Sequence, residues 1–246
     1  MSRRAVVLAG GKGSRLRPYT VVLPKPLMPI GEYPILEVIL RQLAGHGFDH
    51  VTLAVNYQAE IVRAFCGDGS RWGIKVDYSL ETMPLSTIAP LCLIRDLPEN
   101  FLLMNGDVLT DLSTRKLYDD HVSQKRLFTI AAAERMNMVD YGVLHAKENR
   151  LTGFEEKPTL QYLVSMGVYM LNRSVLGRVP QGQKYGFDDL MLSMLAANEP
   201  VYVERYSGYW LDIGRVDDYM RAIEEFDQRR KQLLPDANAN ANANER

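Results

Sequence analysis

Short apolar runs alternate with amphipathic segments through the first half of the chain, and this order limits the possible folds most. The runs are almost continuously apolar, as strands covered on both faces are, and lie at residues 5–8, 51–55, 74–78 and 101–104. The segments between them have helical periodicity and lie at residues 34–44, 58–66 and 87–97. Repeated β-α-β order predicts an α/β fold with a parallel, doubly wound sheet.

The second half of the chain is less regular. Further strands, some of them antiparallel, are expected at residues 127–133, 142–145, 151–154 and 164–171. Asp188 or Asp189 is expected to cap a helix that runs to about residue 197. A last helix, from Arg215, is expected to bury Val216, Tyr219, Met220, Ile223 and Phe226.

Composition excludes several classes of protein. The 246 residues are 46% hydrophobic, which is enough for a large core. The net charge of −1 favours neither nucleic acid nor an anionic membrane as a partner. No apolar run approaches the roughly 20 residues of a membrane span, and the start of the chain does not resemble a signal peptide. We therefore expect a cytoplasmic protein.

A glycine-rich turn that carries cations follows the first apolar run. Gly10, Gly11 and Gly13 lie beside Arg15, and Lys25 follows between two prolines. Glycines bring backbone N–H groups close to an anion, and fixed cations neutralise it, so the pattern favours a polyphosphate site. It matches neither the P-loop nor the dinucleotide fingerprint. The alternative is a solvated surface turn.

Two carboxylates are candidates for a metal site. Asp107 follows the apolar run at residues 101–104, and ligands bind at the carboxyl ends of parallel strands. Mg²⁺ prefers one or two carboxylates plus phosphate oxygens. An ordinary turn is the alternative for Asn105-Gly106-Asp107. Asp212 stands among large apolar residues, where a carboxylate is costly unless it is paired or bound to a metal.

Six short motifs follow one another along the chain: Leu8-Ala9-Gly10-Gly11-x-Gly13-Ser14-Arg15-Leu16, Pro24-Lys25-Pro26, Gly106-Asp107, Tyr141-Gly142-Val143, Glu156-Lys157-Pro158 and Trp210-Leu211-Asp212-Ile213-Gly214. As an ordered set they resemble the sugar-1-phosphate nucleotidylyltransferase family, over residues 3 to about 226. The resemblance implies a Rossmann-like α/β/α sandwich with a mixed, mainly parallel sheet, of the nucleotide-diphospho-sugar transferase type.

The resemblance also implies a site for an NTP, a sugar 1-phosphate and Mg²⁺. The catalytic cations would be Arg15, Lys25 and Lys157. The nucleotide would contact Ala9, Gly10, Gly11, Gly13, Ser14, Glu81, Ser86 and Thr87. The sugar phosphate would contact Asn105, Gly142, Glu156, Ser165, Gly167 and Tyr169. Asp107 and Asp212 would bind the metal.

The implied reaction joins an NTP to a sugar 1-phosphate and releases pyrophosphate. The motifs look most like those of mannose- or heptose-1-phosphate guanylyltransferases, which favours GTP. Thymidylyl- or uridylyltransfer to glucose 1-phosphate is the alternative. A non-catalytic regulatory homologue that binds a nucleotide sugar is the alternative from another class.

The resemblance places a single nucleotidyltransferase domain in residues 1–234. A homodimer or a higher homo-oligomer is compatible with it. The low-complexity tail, residues 235–246, is expected to be disordered. Two segments depart from the family pattern, at Ser86 and at Ser165-Met166. Met166 is expected to narrow the sugar pocket. Ser165 is expected to leave one sugar hydroxyl without a hydrogen-bond partner.

Overall fold

The computed structural model describes residues 2–234. The helices are α1 (Ile35–Gly45), α2 (Ala59–Cys66), α3 (Thr114–Ser123), α4 (Phe187–Ala196) and α5 (Val216–Leu233). The strands are β1 (Arg4–Leu8), β2 (Pro29–Ile30), β3 (Tyr33–Pro34), β4 (His50–Val55), β5 (Lys75–Leu80), β6 (Asn100–Asn105), β7 (Val108–Thr110), β8 (Phe128–Met138), β9 (Val143–Lys147), β10 (Arg150–Glu155), β11 (Thr159–Asn172), β12 (Tyr202–Tyr206) and β13 (Trp210–Asp212). The expected tail lies outside the described residues.

A seven-stranded sheet in the order β12-β8-β11-β6-β1-β4-β5 forms the centre of the fold. The neighbours of β1, which are β4 and β6, run parallel to it, whereas β11 runs antiparallel to both β6 and β8. The expected mixed, mainly parallel sheet is confirmed. The register sets Leu8 beside both Ala54 and Asn105. Three parallel strands therefore end at one edge, where the strand order reverses and ligands bind in such sheets.

Hydrophobic residues pack on both faces of this sheet. Val7 of β1 belongs to one buried cluster, together with Ile39 of α1 and Phe226 of α5. Val6 points to the opposite face and belongs to a second cluster with Leu190 of α4. Consecutive strand residues alternate between faces, so a strand buried on both sides must be continuously apolar. This explains why β1, β4 and β6 were recognisable as short apolar runs.

The expected helix at residues 87–97 is wrong, because only a short 3-10 turn, Ala89–Leu93, forms there. Its backbone groups bond to a distant segment instead. The amides of Ile88 and Ala89 both donate to the carbonyl oxygen of Tyr185, and the amide of Tyr185 donates to Leu85. These bonds replace the i→i−4 ladder that a helix would need.

Helices α4 and α5 begin close to their expected positions, with two corrections. Gly186, not Asp188 or Asp189, is the N-cap residue of α4, and the Asp189 carboxylate accepts a hydrogen bond from the Gly186 amide at 2.7 Å. In α5, Tyr219 and Phe226 are buried as expected, but Met220 and Ile223 are 45% and 40% exposed. Ala222 takes the core-facing position between them.

No helix within residues 2–234 is both long enough and apolar enough to cross a membrane.

Candidate active site

A cavity of about 530 Å³ opens at the edge where β1, β4 and β6 end. It brings together eight predicted site residues, which are Ala9, Gly10, Gly11, Lys25, Glu81, Ser86, Thr87 and Asn105, and also the predicted metal ligand Asp107. Lys12 and Asn56 also line it and were absent from the predicted site. Asn56 directly follows a parallel strand, as Asp107 nearly does, and this position could have identified it.

The glycine-rich turn forms one wall of the cavity. Gly13 has φ +59°, and a Cβ there would lie 2.9 Å from the Thr20 side chain. A Cβ at Gly10 would lie 3.0 Å from Asn56. Both positions need glycine for space, and Gly13 needs it for its backbone conformation as well. Ser14 and Arg15 begin the 3-10 turn that follows, Ser14–Leu16.

Lys25 is a buried cation fixed by local backbone geometry. It begins a 3-10 turn, Lys25–Leu27, after the extended residue Pro24, and only 8% of it is exposed. Its Nζ forms a short ion pair with Oδ2 of Asp107. The lysine side chain therefore connects the β1 side of the cavity to the end of β6.

Asp107 and Asp212 lie close enough to influence each other. Strand β13 pairs with β7, which sets Asp212 beside Val108, and the amide of Ile213 donates to the Asp107 carbonyl at 3.0 Å. Burial, and secondarily the charge of Asp107, raise the pKa of Asp212, while Lys25 and Arg15 oppose the rise. The partial burial of the two carboxylates and their mutual repulsion favour the binding of a further cation between them.

The unpaired oxygens of this pair test whether a metal fits. Oδ1 of Asp107 is buried and has no hydrogen-bond partner. Among residues 2–234, no group of three or more His, Cys, Asp or Glu side chains gathers to enclose a metal. Two carboxylates without a full cage suit Mg²⁺, which keeps waters and takes the rest of its ligands from substrate phosphates. The residues present fit the expected ion.

Arg15 lies beside the acidic pair, although it does not line the cavity described above. Its guanidinium comes within 3.6 Å of the position that a Cβ would take at Gly214, two residues after Asp212. It also lowers the pKa of Asp212, against the effect of burial. The predicted cations Arg15 and Lys25 therefore approach the same carboxylate.

The opposite wall of the cavity is a loop that Glu81 fixes. The Glu81 carboxylate accepts a short hydrogen bond from the Leu85 amide and a 3.3 Å bond from Nδ2 of Asn56. Ser86 follows with φ +75°, in the left-handed region that favours glycine. The Thr87 hydroxyl accepts a 2.7 Å hydrogen bond from the amide of Phe187. Polar groups of this wall are held in place by the protein itself.

The predicted sugar side is built on an irregularity of β11. The pairing of β11 with β8 shifts between Ser165 and Tyr169. Gly167 sits in this bulge with φ +74°, and a Cβ there would lie 2.6 Å from Nδ2 of Asn105. The Ser165 hydroxyl donates to the Tyr169 hydroxyl at 2.9 Å and accepts from the Gly167 amide at 3.3 Å. Ser165, Gly167, Tyr169 and Asn105 therefore form one connected group.

Tyr169, predicted as a contact of the sugar phosphate, is fixed in place by aromatic stacking and burial. Its ring stacks on Phe187, with ring centroids 4.4 Å apart. Burial raises the pKa of its hydroxyl, so the group remains protonated and can donate a hydrogen bond at neutral pH.

The expectation that Met166 narrows the sugar pocket is wrong. Only 1% of Met166 is exposed, and its side chain belongs to the buried hydrophobic cluster that also contains Val7 of β1. Its carbonyl oxygen accepts a 2.9 Å hydrogen bond from Nε1 of Trp210. The bulge turns this side chain inward, because an extra residue changes which face the following side chains occupy.

Gly142, Glu156 and Lys157 lie at the ends of the β9–β10 hairpin. A Cβ at Gly142 would lie 2.7 Å from the Phe154 ring and 3.4 Å from the Glu156 carboxylate, so the first two predicted residues are neighbours. Lys157 is exposed and has φ +45°. None of these three lines the 530 Å³ cavity.

Comparisons with known proteins agree over most of the chain. A family model described as Nucleotidyl transferase matches residues 4–229. A mannose-1-phosphate guanylyltransferase of Mycobacterium tuberculosis is 33% identical over 226 residues, which cover 88% of this chain and 62% of that protein. A UTP–glucose-1-phosphate uridylyltransferase of Synechocystis is 31% identical over 241 residues, which cover 89% and 62%.

A third relative matches this chain in length. D-glycero-alpha-D-manno-heptose 1-phosphate guanylyltransferase of Aneurinibacillus thermoaerophilus is 31% identical over 224 residues, which cover 90% of this chain and 97% of that protein. The chain thus spans about 62% of the two relatives above but nearly all of this one.

The solved structures support the same architecture. HddC from Yersinia pseudotuberculosis, complexed with GMP-PN, superposes with a TM-score of 0.71 at 24% identity and covers 91% of this chain and 99% of that one. The likeness confirms the expected fold of the nucleotide-diphospho-sugar transferase type.

Proposed function

Because the chain belongs to the nucleotidyl transferase family, we propose that it transfers a nucleotidyl group from an NTP to a sugar 1-phosphate and releases pyrophosphate. The observation that carries the proposal is the cavity in which the buried Lys25 meets Asp107 beside the glycine-rich turn. GTP and a mannose- or heptose-type 1-phosphate are the favoured substrates, since two of the relatives above are guanylyltransferases acting on such sugars.

The barrier to this reaction is the approach of one anion to another. The sugar phosphate is already an anionic nucleophile and needs no general base when it attacks the α-phosphorus in line. The amides of the glycine-rich turn, with Lys25 and Arg15, would hold the triphosphate and neutralise charge that builds up in the transition state. Asp107 and Asp212 would hold Mg²⁺, which supplies further neutralisation of phosphate charge when bound.

Uridylyl- or thymidylyltransfer to glucose 1-phosphate is the second candidate. It is favoured by the similarity to the Synechocystis uridylyltransferase, which is comparable in extent to the others. A non-catalytic nucleotide-sugar sensor is the third candidate. The proposed metal carboxylates, Asp107 and Asp212, favour catalysis, because a sensor that only binds a nucleotide sugar has no need of two partly buried carboxylates.

Pyrophosphate release tests the proposal directly. We expect release only when an NTP, a sugar 1-phosphate and Mg²⁺ are all present, with five NTPs tested against a panel of hexose and heptose 1-phosphates. An NTP alone should give none, which separates transfer from hydrolysis. Binding of nucleotides without turnover on any pair, with Mg²⁺ or Mn²⁺, would reject the enzyme and favour the sensor.

Lys157 offers a more local test of the acceptor side. We expect Lys157→Ala to raise the KM for the sugar 1-phosphate at least about tenfold and to leave the KM for the NTP unchanged, because a hydrogen bond to a charged group contributes about 1.5–3 kcal/mol. Lys147→Ala is the matched control, since Lys147 is also exposed and lies on the same hairpin. Equal effects of the two variants would remove Lys157 from the site.

A further inference from the structure

A second cavity, of about 410 Å³, is lined by residues of β8, β12 and β13, and none of them belongs to the predicted site. Its charged lining residues are two arginines, Arg135 and Arg205, and one glutamate, Glu134. The other lining residues carry no charge at neutral pH. The cavity therefore has a net positive lining, which favours an anionic ligand.

The two arginines differ in how the protein uses them. Glu134 accepts a hydrogen bond from Arg205 at 3.4 Å and another from Gln161 at 2.9 Å. Within residues 2–234, the Arg135 guanidinium forms no hydrogen bond or ion pair, and its one contact of this kind is with the ring of Trp210. A guanidinium has five N–H donors and no acceptor. All five of these donors are therefore available to a ligand in the cavity.

Trp210 holds the Arg135 guanidinium in place. The guanidinium carbon lies 4.6 Å from the centre of the Trp210 ring. The ring is itself fixed, because its Nε1 donates to the Met166 carbonyl at 2.9 Å and its backbone pairs with Thr110. Stacking on an aromatic face attracts a guanidinium and leaves its edge N–H groups exposed. Arg135 is thus oriented before any ligand binds.

This cavity adjoins the acceptor side of the proposed active site. Trp210 and the proposed metal ligand Asp212 are two residues apart on β13, so their side chains leave the same face of the strand. The carbonyl that Trp210 contacts belongs to Met166, between Ser165 and Gly167, which are predicted sugar contacts. The cavity shares no lining residue with the 530 Å³ cavity of the nucleotide side.

An acceptor with a second anionic group matches this arrangement. A sugar 1-phosphate that reacts beside Asp212 would extend its sugar along the same face of β13, toward Trp210. A neutral hydroxymethyl group at the far end of the sugar would leave most donors of Arg135 to water. A carboxylate or a phosphate accepts two parallel N–H groups of a guanidinium at once, in short charge-assisted hydrogen bonds.

We infer that Arg135, held on Trp210, selects an acceptor sugar 1-phosphate that carries a second anionic group, a carboxylate or a phosphate, at the end away from the 1-phosphate. The inference rests on the proposed function in that it needs a sugar 1-phosphate in the site. It deepens that function by naming the chemical class of the acceptor and the residue that recognises it.

Matched sugar phosphates test the inference on the wild-type protein. Mannuronate 1-phosphate has a carboxylate where mannose 1-phosphate has a hydroxymethyl group, and mannose 1,6-bisphosphate has a second phosphate there. We expect at least one of these two to bind at least about tenfold more tightly than mannose 1-phosphate, in equilibrium titrations with Mg²⁺ and a non-hydrolysable GTP analogue. The tighter of the two identifies the anionic group. A smaller difference for both would overturn the inference.

Arg135→Gln tests whether this residue recognises the second anionic group. Glutamine keeps hydrogen-bonding capacity but removes the charge and the fork of parallel donors. We expect the preference to fall below about threefold, through weaker binding of the doubly anionic ligand. Arg150→Gln is the control, because Arg150 is an exposed arginine of β10 that does not line the cavity, and it should keep the wild-type preference. A folded Arg135→Gln that also keeps it would assign the recognition to another group and overturn the inference.

Inorganic phosphate tests whether the cavity is instead a separate anion site. We expect phosphate to compete with the doubly anionic sugar phosphate. Saturable phosphate binding that is lost in Arg135→Gln, but that leaves the affinity for sugar phosphates unchanged, would indicate a site for a free anion and overturn the inference.

Pyrophosphate release separates this inference from the proposed function. The expected binding preference without release on any pair of substrates refutes the transfer reaction and leaves the role of Arg135 standing. Release with mannose 1-phosphate at the same kcat/KM as with both doubly anionic acceptors does the reverse, because it supports the reaction and refutes the selection by Arg135.

Discussion

Asp212→Asn is expected to lower turnover at least about a hundredfold and, at the same time, to raise the stability of the metal-free protein. The loss of activity follows from the loss of a metal carboxylate. The gain in stability follows from electrostatics. Burial and the charge of Asp107 raise the pKa of Asp212, so its ionised form is unfavourable in the folded protein.

The sign of the stability change depends on pH. A carboxyl group whose pKa is raised by folding favours the folded state at pH values below its unfolded pKa, and this contribution is lost as the pH rises through the folded value. At neutral pH, therefore, Asp212 destabilises the protein without metal, and asparagine removes that cost. The advantage of the variant should disappear at acidic pH, where both side chains are neutral.

Thermal melts with and without Mg²⁺ check this prediction. The ion should raise the Tm of the wild type, since a ligand that binds only the folded state stabilises it, and should raise that of Asp212→Asn much less. Asp217→Asn, an exposed change in the first turn of α5, serves as the control and should keep activity and the Mg²⁺ response. A metal-free Tm for Asp212→Asn below that of the wild type, or near-normal turnover, would remove Asp212 from the metal site.

Lys25→Ala is expected to lower kcat at least about tenfold, equivalent to about 1.4 kcal/mol, with little change in the KM for the NTP. Its Nζ is fixed in a buried ion pair, so it costs little to hold in place as phosphate charge develops. The variant also leaves Asp107 without its counter-cation, so we expect a lower Tm in the absence of Mg²⁺.

Lys12→Ala provides the comparison for Lys25. Lys12 lines the same cavity but is exposed, and it forms no fixed ion pair with Asp107. The Lys12→Ala variant is expected to raise the KM for the NTP and to leave kcat nearly unchanged. If Lys25→Ala affects only KM, as Lys12→Ala does, Lys25 helps to bind the nucleotide and does not stabilise the transition state.

The parallel half of the sheet could be predicted because burial on both faces leaves a clear pattern. Helices made mostly of polar residues give no such pattern in the sequence. Helix α3 carries mostly charged and polar residues, and its one local signal is Ser113, which caps it by accepting from the Lys116 amide. The expected helix at residues 87–97 failed for a different reason. Its amides bond to Tyr185, about a hundred residues away, and no local pattern reports such a partner.

The gathering of the glycine-rich turn, Asn105 and Asp107 around one cavity could be predicted from position, because glycines and carboxylates that follow parallel strands must gather at one edge. The geometry of the proposed acceptor side could not be predicted in this way. The register shift in β11 decides where Ser165 and Met166 point, and Gly167 is its only trace in the sequence. Ser165 was expected to contact the sugar phosphate while leaving one sugar hydroxyl without a partner, and the hydrogen bonds that its hydroxyl forms with the Tyr169 hydroxyl and the Gly167 amide were not foreseen.

The loop at residues 85–89, which forms one wall of the proposed nucleotide cavity, is anchored by hydrogen bonds to a distant segment of the chain. One backbone carbonyl receives the amides of both Ile88 and Ala89, and the neighbouring Phe187 amide reaches Thr87. Insertions or deletions in the connection before α4 would shift this anchor and move the base-facing wall with it. If this cavity binds the nucleotide as proposed, changes at positions that do not contact it are expected to alter the base preference, while the residues of the glycine-rich turn stay as they are.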